Sequence, residues 1–195
     1  MDFNPWQNSV SANSGSSEPQ QIVEIATRSA FFYGTLIHPR VLRRVLGHAG
    51  TNLKIAPALL EGWVRHRVRG ADFPAIISAK DSHDFFKTEA DPASECVRGS
   101  YVTGLTFDDM KRLDRFESGY YELEVVEVTP LADLVSLGDL DIKTLVDPGL
   151  LKMTGGEQRA KVRVVTYAWS EPLSELEKEP WSFEDFVTQK LDVWG

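Results

Sequence analysis

The chain has 195 residues, 42% of them hydrophobic, which suffices for one substantial core and makes a single domain the expectation. A formal net charge of −8 argues against a phosphate-backbone partner, so no nucleic acid is expected. The one cysteine, Cys96, excludes an intrachain disulfide framework and suits a reducing, cytoplasmic setting.

Residues 1–21 are rich in Ser, Asn and Gln and contain no apolar run. They read as a disordered tail, neither a secretory signal nor a membrane span, with Phe3 and Trp6 able to dock on a surface. Residues 22–25 read as a short element joining a domain that extends to about residue 170. Its first strong signal is Phe31-Phe32-Tyr33, an apolar strand running into Gly34, where a small residue permits a sharp turn or a close approach. A helix should follow. Pro39 suits a first turn, Val41, Leu42, Val45 and Leu46 recur at helical spacing, and Gly47 can cap the end. A strand-turn-helix unit aims backbone N–H groups of Gly34, Thr35 and Leu36 at whatever lies above the turn, a concavity suited to an anion or a carbonyl oxygen. The same residues also fit a tight turn with no ligand.

Residues 55–60, 63–69, 73–78 and 97–103 read as short strands separated by Gly, Pro or Asp, fitting one compact, barrel-like sheet. Alternation in 63–69 puts Val64, His66 and Val68 on one face and Arg65, Arg67 and Arg69 on the other. The arginine face reads as solvated or paired with carboxylates, because no aromatic residue interleaves with it. Cys96 reads as a strand residue and not a nucleophile. The four histidines, His38, His48, His66 and His83, lack metal-ligand spacing, so no metal site is assigned.

Thr106 with Asp109 reads as a capping box opening a helix through Phe107, Met110, Leu113 and Phe116. At about 3.6 residues per turn, Met110, Leu113 and Glu117 share one face, so the Glu117 carboxyl should point at the core. A carboxyl removed from water has its charged form disfavoured, which is what a general acid or base working near neutrality requires. Glu117 can equally turn outward or pair with Arg115, and Asp114 at the edge of the same face is a weaker candidate. Gly119 should end the helix and residues 120–128 alternate as a strand. An insertion at about 131–157, with Leu134, Leu137, Leu140, Ile142 and Leu145, is too long for bare loop and can add a helix or cover a pocket. A strand at 162–169 follows. In the tail, 171–195, Ser182 with Asp185 makes another capping box, and Phe183, Phe186, Val187, Leu191 and Trp194 form an apolar stripe that should pack on the domain. Monomer and homodimer both remain open.

Tyr33-Gly34-Thr35-Leu36, Arg69-Gly70-Ala71-Asp72-Phe73-Pro74-Ala75-Ile76, the run from Gly99 to Leu105, and Leu113-Asp114-Arg115-Phe116-Glu117 with Tyr120-Tyr121 occur in this order. Together they resemble the gamma-glutamylcyclotransferase-like superfamily, in its branch named after a plant avirulence-induced gene. The resemblance covers about residues 30–128, continuing more weakly at 162–169. It implies an α+β fold, a mixed sheet curled toward a barrel with flanking helices. It also implies an enzyme that cyclises a small γ-glutamyl amine or peptide to 5-oxoproline and releases the amine, as in glutathione metabolism, with no metal or cofactor. By the resemblance, Glu117 shuttles the proton and the Gly34–Leu36 amides hold the substrate. Tyr33, Thr35, Arg69, Phe73 and Tyr121 are the other expected pocket residues. Two alternatives stay open: a small-carboxylate binding module on the same fold, and a related amide-cleaving enzyme.

Overall fold

The structure, a computed structural model, describes residues 28–89, 95–117, 119–140 and 159–194. In chain order its elements begin with β1 (Arg28–Phe32), a 3-10 turn (Thr35–Ile37), α1 (Pro39–Leu46), β2 (Lys54–Glu61), β3 (Trp63–Val68) and β4 (Pro74–Ser78). Next come α2 (Ala79–Phe86), β5 (Cys96–Leu105), α3 (Phe107–Glu117), β6 (Tyr121–Pro130) and β7 (Val135–Ser136). After residue 158 follow β8 (Val162–Trp169), a second 3-10 turn (Leu173–Glu175), β9 (Leu176–Glu177), α4 (Phe183–Gln189) and α5 (Leu191–Trp194).

Five strands close on themselves in the order β5-β1-β8-β6-β2, the β2–β5 pairing completing the barrel, and β7 adds to the free part of β2. Among the described strands the one parallel pair is β1 with β8, at Ala30 opposite Val165. Closure depends on the length of β5, which pairs with β1 at Ser100–Leu105 and with β2 from Thr103 to Cys96. Gly99 makes the crowding possible. A Cβ there would run into the Phe32 carbonyl oxygen and come within 2.7 Å of the Phe31 ring. Phe31, Leu60, Val97, Val128 and Val164 fill the barrel, and a second cluster under α1, α3 and α4 contains Leu42, Leu113, Phe183 and Phe186. Burial of such side chains stabilises by about 1.5–3 kcal/mol each relative to exposure.

The expected single sheet needs correction. β3 and β4 leave the barrel and form a separate three-stranded sheet with β9, in the order β4-β3-β9. α2, which the sequence reading did not anticipate, packs on this sheet through buried His66. Its Nδ1 donates to the Glu177 carbonyl at 2.9 Å, leaving Nε2 to accept from the Ser82 hydroxyl at 2.9 Å, while Phe86 stacks on the ring at 4.8 Å. Of the insertion, Leu137 joins the main core and β7 extends the sheet. Residues 141–158 lie outside the described residues, as do the tail at 1–21 and residues 22–25. No described helix is long and apolar enough to cross a membrane.

Candidate active site

The first wall of the site is the turn after β1. Gly34 adopts φ −119° and ψ −139°, so it is not a left-handed backbone that demands glycine; a neighbour does. A Cβ on Gly34 would sit 2.9 Å from Pro74 Cγ and 3.0 Å from Cδ. The turn is closed from within by the Ile37 N–H donating to the Gly34 carbonyl at 3.0 Å and the His38 N–H to that of Thr35 at 3.2 Å. The N–H groups of Gly34, Thr35 and Leu36, at the open start of this turn, meet no acceptor among the described residues. From behind, Arg65 donates to the Tyr33 carbonyl at 2.9 Å and lies 5.4 Å from the Trp181 ring. Burial pushes the Arg65 guanidinium down to about 10, opposed first by Glu184, so it stays charged near neutrality.

The second wall is the C-terminal end of α3. The capping box forms as read: the Asp109 N–H donates to Thr106 Oγ1 at 3.2 Å and the Thr106 N–H to Asp109 Oδ2 at 2.9 Å. Leu113 is fully buried one turn on, and Glu117 follows on the same face, lining the pocket. No hydrogen bond or ion pair from a described residue reaches the Glu117 carboxyl, and burial alone pushes its pKa up to about 8. The Arg115 pairing left open by the sequence does not offset that burial.

Between these walls lies a pocket with about 620 Å³ of empty space, part of it open to solvent. Gly34, Thr35, Leu36, Tyr33, Phe73, Tyr121 and Glu117 all line it. Arg69 is not brought there: it is exposed, and its guanidinium donates to the Ser174 carbonyl at 3.3 Å. The two expected tyrosine hydroxyls are both engaged as donors, Tyr33 to the Tyr167 carbonyl at 2.6 Å and Tyr121 to that of Pro74 at 2.8 Å. They brace the wall and present only oxygen lone pairs to a ligand. Burial first, then the neighbouring Glu117, raises the Tyr121 pKa further, so its hydroxyl keeps its proton.

Sequence reading missed Tyr167, Phe116, Tyr120 and Trp194 as pocket residues, and Arg65 as the brace behind the turn. Period-two alternation along 162–169 offered a signal for Tyr167, whose hydroxyl donates to Asp114 at 2.7 Å. The sequence puts Arg65 on a solvated or carboxylate-paired face, because one strand cannot reveal that a second layer covers it. Among the described residues no group of three or more His, Cys, Asp or Glu side chains is placed to hold a metal.

Comparison with known proteins shows the family and the fold. Residues 30–185 match the sequence model of a family described as gamma-glutamyl cyclotransferase, AIG2-like. The chain is 24% identical over 171 residues to Protein AIG2 C of Arabidopsis thaliana, covering 88% of this chain and 75% of that protein. It is 33% identical over 104 residues to AIG2-like protein D of the same plant, covering 53% of this chain and 58% of the relative. A solution structure of an Arabidopsis thaliana protein shares the fold at 22% identity and a TM-score of 0.51, covering 93% of this chain and 81% of that one. Another from the same plant does so at 20% identity and a TM-score of 0.52, over 88% and 87%.

Proposed function

We propose a function for this pocket from one premise: the chain belongs to the gamma-glutamyl cyclotransferase, AIG2-like family. The protein cyclises a γ-glutamyl amide to 5-oxoproline and releases the amine, with Glu117 as general base and then general acid. The observation that carries this reading is the pairing of an unpartnered, buried carboxyl near pKa 8 with three unspent backbone N–H groups in one pocket.

The N–H groups of Gly34, Thr35 and Leu36 hold the substrate's α-carboxylate or γ-carbonyl oxygen. Ionised Glu117 takes a proton from the α-ammonium. A peptide α-amino group titrates near 8, and the adjacent free carboxylate of a γ-glutamyl group moves it higher, so transfer to a carboxylate near 8 is not steeply uphill. The freed amine attacks the γ-carbonyl carbon, and the new C–N bond closes a five-membered lactam. Collapse of the oxyanion breaks the old amide C–N bond, and protonated Glu117 gives its proton to the departing nitrogen. Both protons lost by the α-nitrogen end on the released amine, which closes the stoichiometry without water. Most of the rate enhancement comes from orientation, since well-placed intramolecular reactions reach effective molarities on the order of 10⁵–10⁸ M. Backbone donors add stabilisation of the developing oxyanion.

The test is 5-oxoproline release from a panel of γ-glutamyl amides by the wild type and by Glu117→Gln, with circular dichroism to verify the fold. Release should fall on the order of 10²–10⁴-fold in the variant. Undiminished release by a folded Glu117→Gln protein would remove the proton-shuttle role. Absence of product for the whole panel, with ligand binding retained, would turn the reading to the small-carboxylate binding module.

A further inference from the structure

Besides the glycine turn and Glu117, the pocket is lined largely by aromatic rings, and it contains no Lys, Arg or His among its described lining residues. Phe73 is at its centre, 5.9 Å from Tyr120, 6.4 Å from Tyr121 and 6.3 Å from Trp194 between ring centroids. Phe116 stands 6.2 Å from Trp194. The only carboxyl among the described lining residues is that of Glu117, already committed to the proton. A guanidinium exists on this side of the molecule, that of Arg44. It lines a separate depression beyond Phe116 and Trp194 and donates to the Val193 carbonyl at 3.2 Å.

Trp194 lies beyond residues 30–185, so this part of the lining is supplied by a segment outside the family match. The placement is anchored. Lys190 pairs with Asp72 at 3.0 Å and the Trp181 indole N–H donates to the Asp72 carbonyl at 2.9 Å, tying the C-terminal segment to the loop that carries Phe73. Arg40 and Asp192, 3.3 Å apart, tie α5 to α1.

A γ-glutamyl substrate has two ends. The glutamyl end meets the free N–H groups and Glu117, while the amine to be released meets the rings. A released amino acid or dipeptide, the latter as from glutathione, carries a C-terminal carboxylate. Burying that charge against aromatic faces with no cation to receive it is costly. An apolar or aromatic amine instead gains contact area and ring stacking. We infer that this pocket selects γ-glutamyl amides whose leaving amine is apolar or aromatic and carries no carboxylate, a specificity that rests on the cyclisation reading above. Trp194 sets that preference.

The experiment compares kcat/KM for 5-oxoproline release from γ-glutamyl benzylamide, γ-glutamylglycine, glutathione and γ-glutamyl-1,4-diaminobutane. It uses the full chain and its Trp194→Ala and Trp194→Phe variants. The benzylamide should be preferred over γ-glutamylglycine and glutathione by about tenfold or more. Trp194→Ala should shrink that ratio by about tenfold, and Trp194→Phe should retain most of it, a pattern that general loss of stability does not produce. Equal or better turnover of γ-glutamylglycine or glutathione overturns the specificity and leaves the cyclisation intact. Preference for the diaminobutane amide also overturns it, because the rings then read a positive charge. Release from none of the four overturns the cyclisation reading and this inference with it.

Discussion

The two ends of α3 hold two carboxyls on one helix face, and the structure treats them in opposite ways. Asp109, in the first turn, is 2% exposed, yet less protein surrounds it than surrounds Glu117 at the last turn, so its burial penalty is the smaller. Burial pushes Asp109 up, but the Thr106 N–H, His48 and the Thr106 hydroxyl more than offset it and hold its pKa below the usual value. The His48 contact is 2.7 Å, and the ring's Nδ1 accepts the Gly50 N–H at 3.0 Å, so in the neutral ring the proton faces Asp109. Glu117 has burial alone, and its pKa rises to about 8. The helix dipole acts in the same sense, favouring negative charge at the start of α3 and disfavouring it at the end. Glu117 combines the larger burial penalty with no offsetting partner, whereas Asp109 has a smaller penalty that its partners outweigh.

Removing the carrier should have the largest effect. Glu117→Gln should lower 5-oxoproline release on the order of 10²–10⁴-fold. It should also stabilise the protein, since the folded pKa of about 8 lies above the ordinary 4.5. For a raised pKa, the wild type holds its full stability below the unfolded value and loses it as pH rises through about 8. The variant's advantage therefore grows from pH 5 to pH 8, reaching about 3 kcal/mol near neutrality as an upper figure, readable by urea unfolding. Breaking the anion should act in the opposite direction. Asp109→Ala should cost about 2 kcal/mol by the same measurement, through loss of the cap and of the His48 contact. Because the Asp109 pKa is depressed, this difference should be present above the ordinary carboxylate range and shrink as pH falls below it.

A pH–rate profile sharpens the comparison further. kcat/KM should rise about tenfold between pH 7 and pH 9 as Glu117 ionises, then fall as the substrate ammonium loses its own proton. The smallest effect should come from the opposite wall. Gly34→Ala pushes a methyl against Pro74 at 2.9 Å, moving the turn without touching either acid. A stability loss of about 1 kcal/mol and a several-fold higher KM are expected, with the acidic limb of the pH profile unmoved.

Much of this was legible in the sequence because it is local. The Phe31–Gly34 strand and turn, the Thr106–Asp109 cap, the Ser182–Asp185 cap and the inward face of Glu117 each follow from residues within about three turns of one another. What escaped depends on distant pairing. No pattern in β3 shows that β9 joins it from more than a hundred residues away, and Arg65, read as solvated or paired with a carboxylate, instead braces the Tyr33 carbonyl. Arg69 carried the resemblance but faces outward. The helical stripe identified Trp194 as a packing residue; its place in the pocket wall depends on Asp72, Lys190 and Trp181 meeting across the fold. α2 was missed because Ser78 caps a short helix with little apolar patterning, its Oγ accepting the Asp81 N–H at 3.1 Å.

The most direct measurement is a carbon-13 titration of the side-chain carboxyls, with Glu117 identified by the signal that disappears in Glu117→Gln. The account predicts a Glu117 midpoint near 8 and an Asp109 midpoint below the ordinary aspartate value. A Glu117 midpoint at an ordinary glutamate value would contradict it, because so weakly basic a carboxylate would take the proton of an ammonium titrating above 8 only steeply uphill.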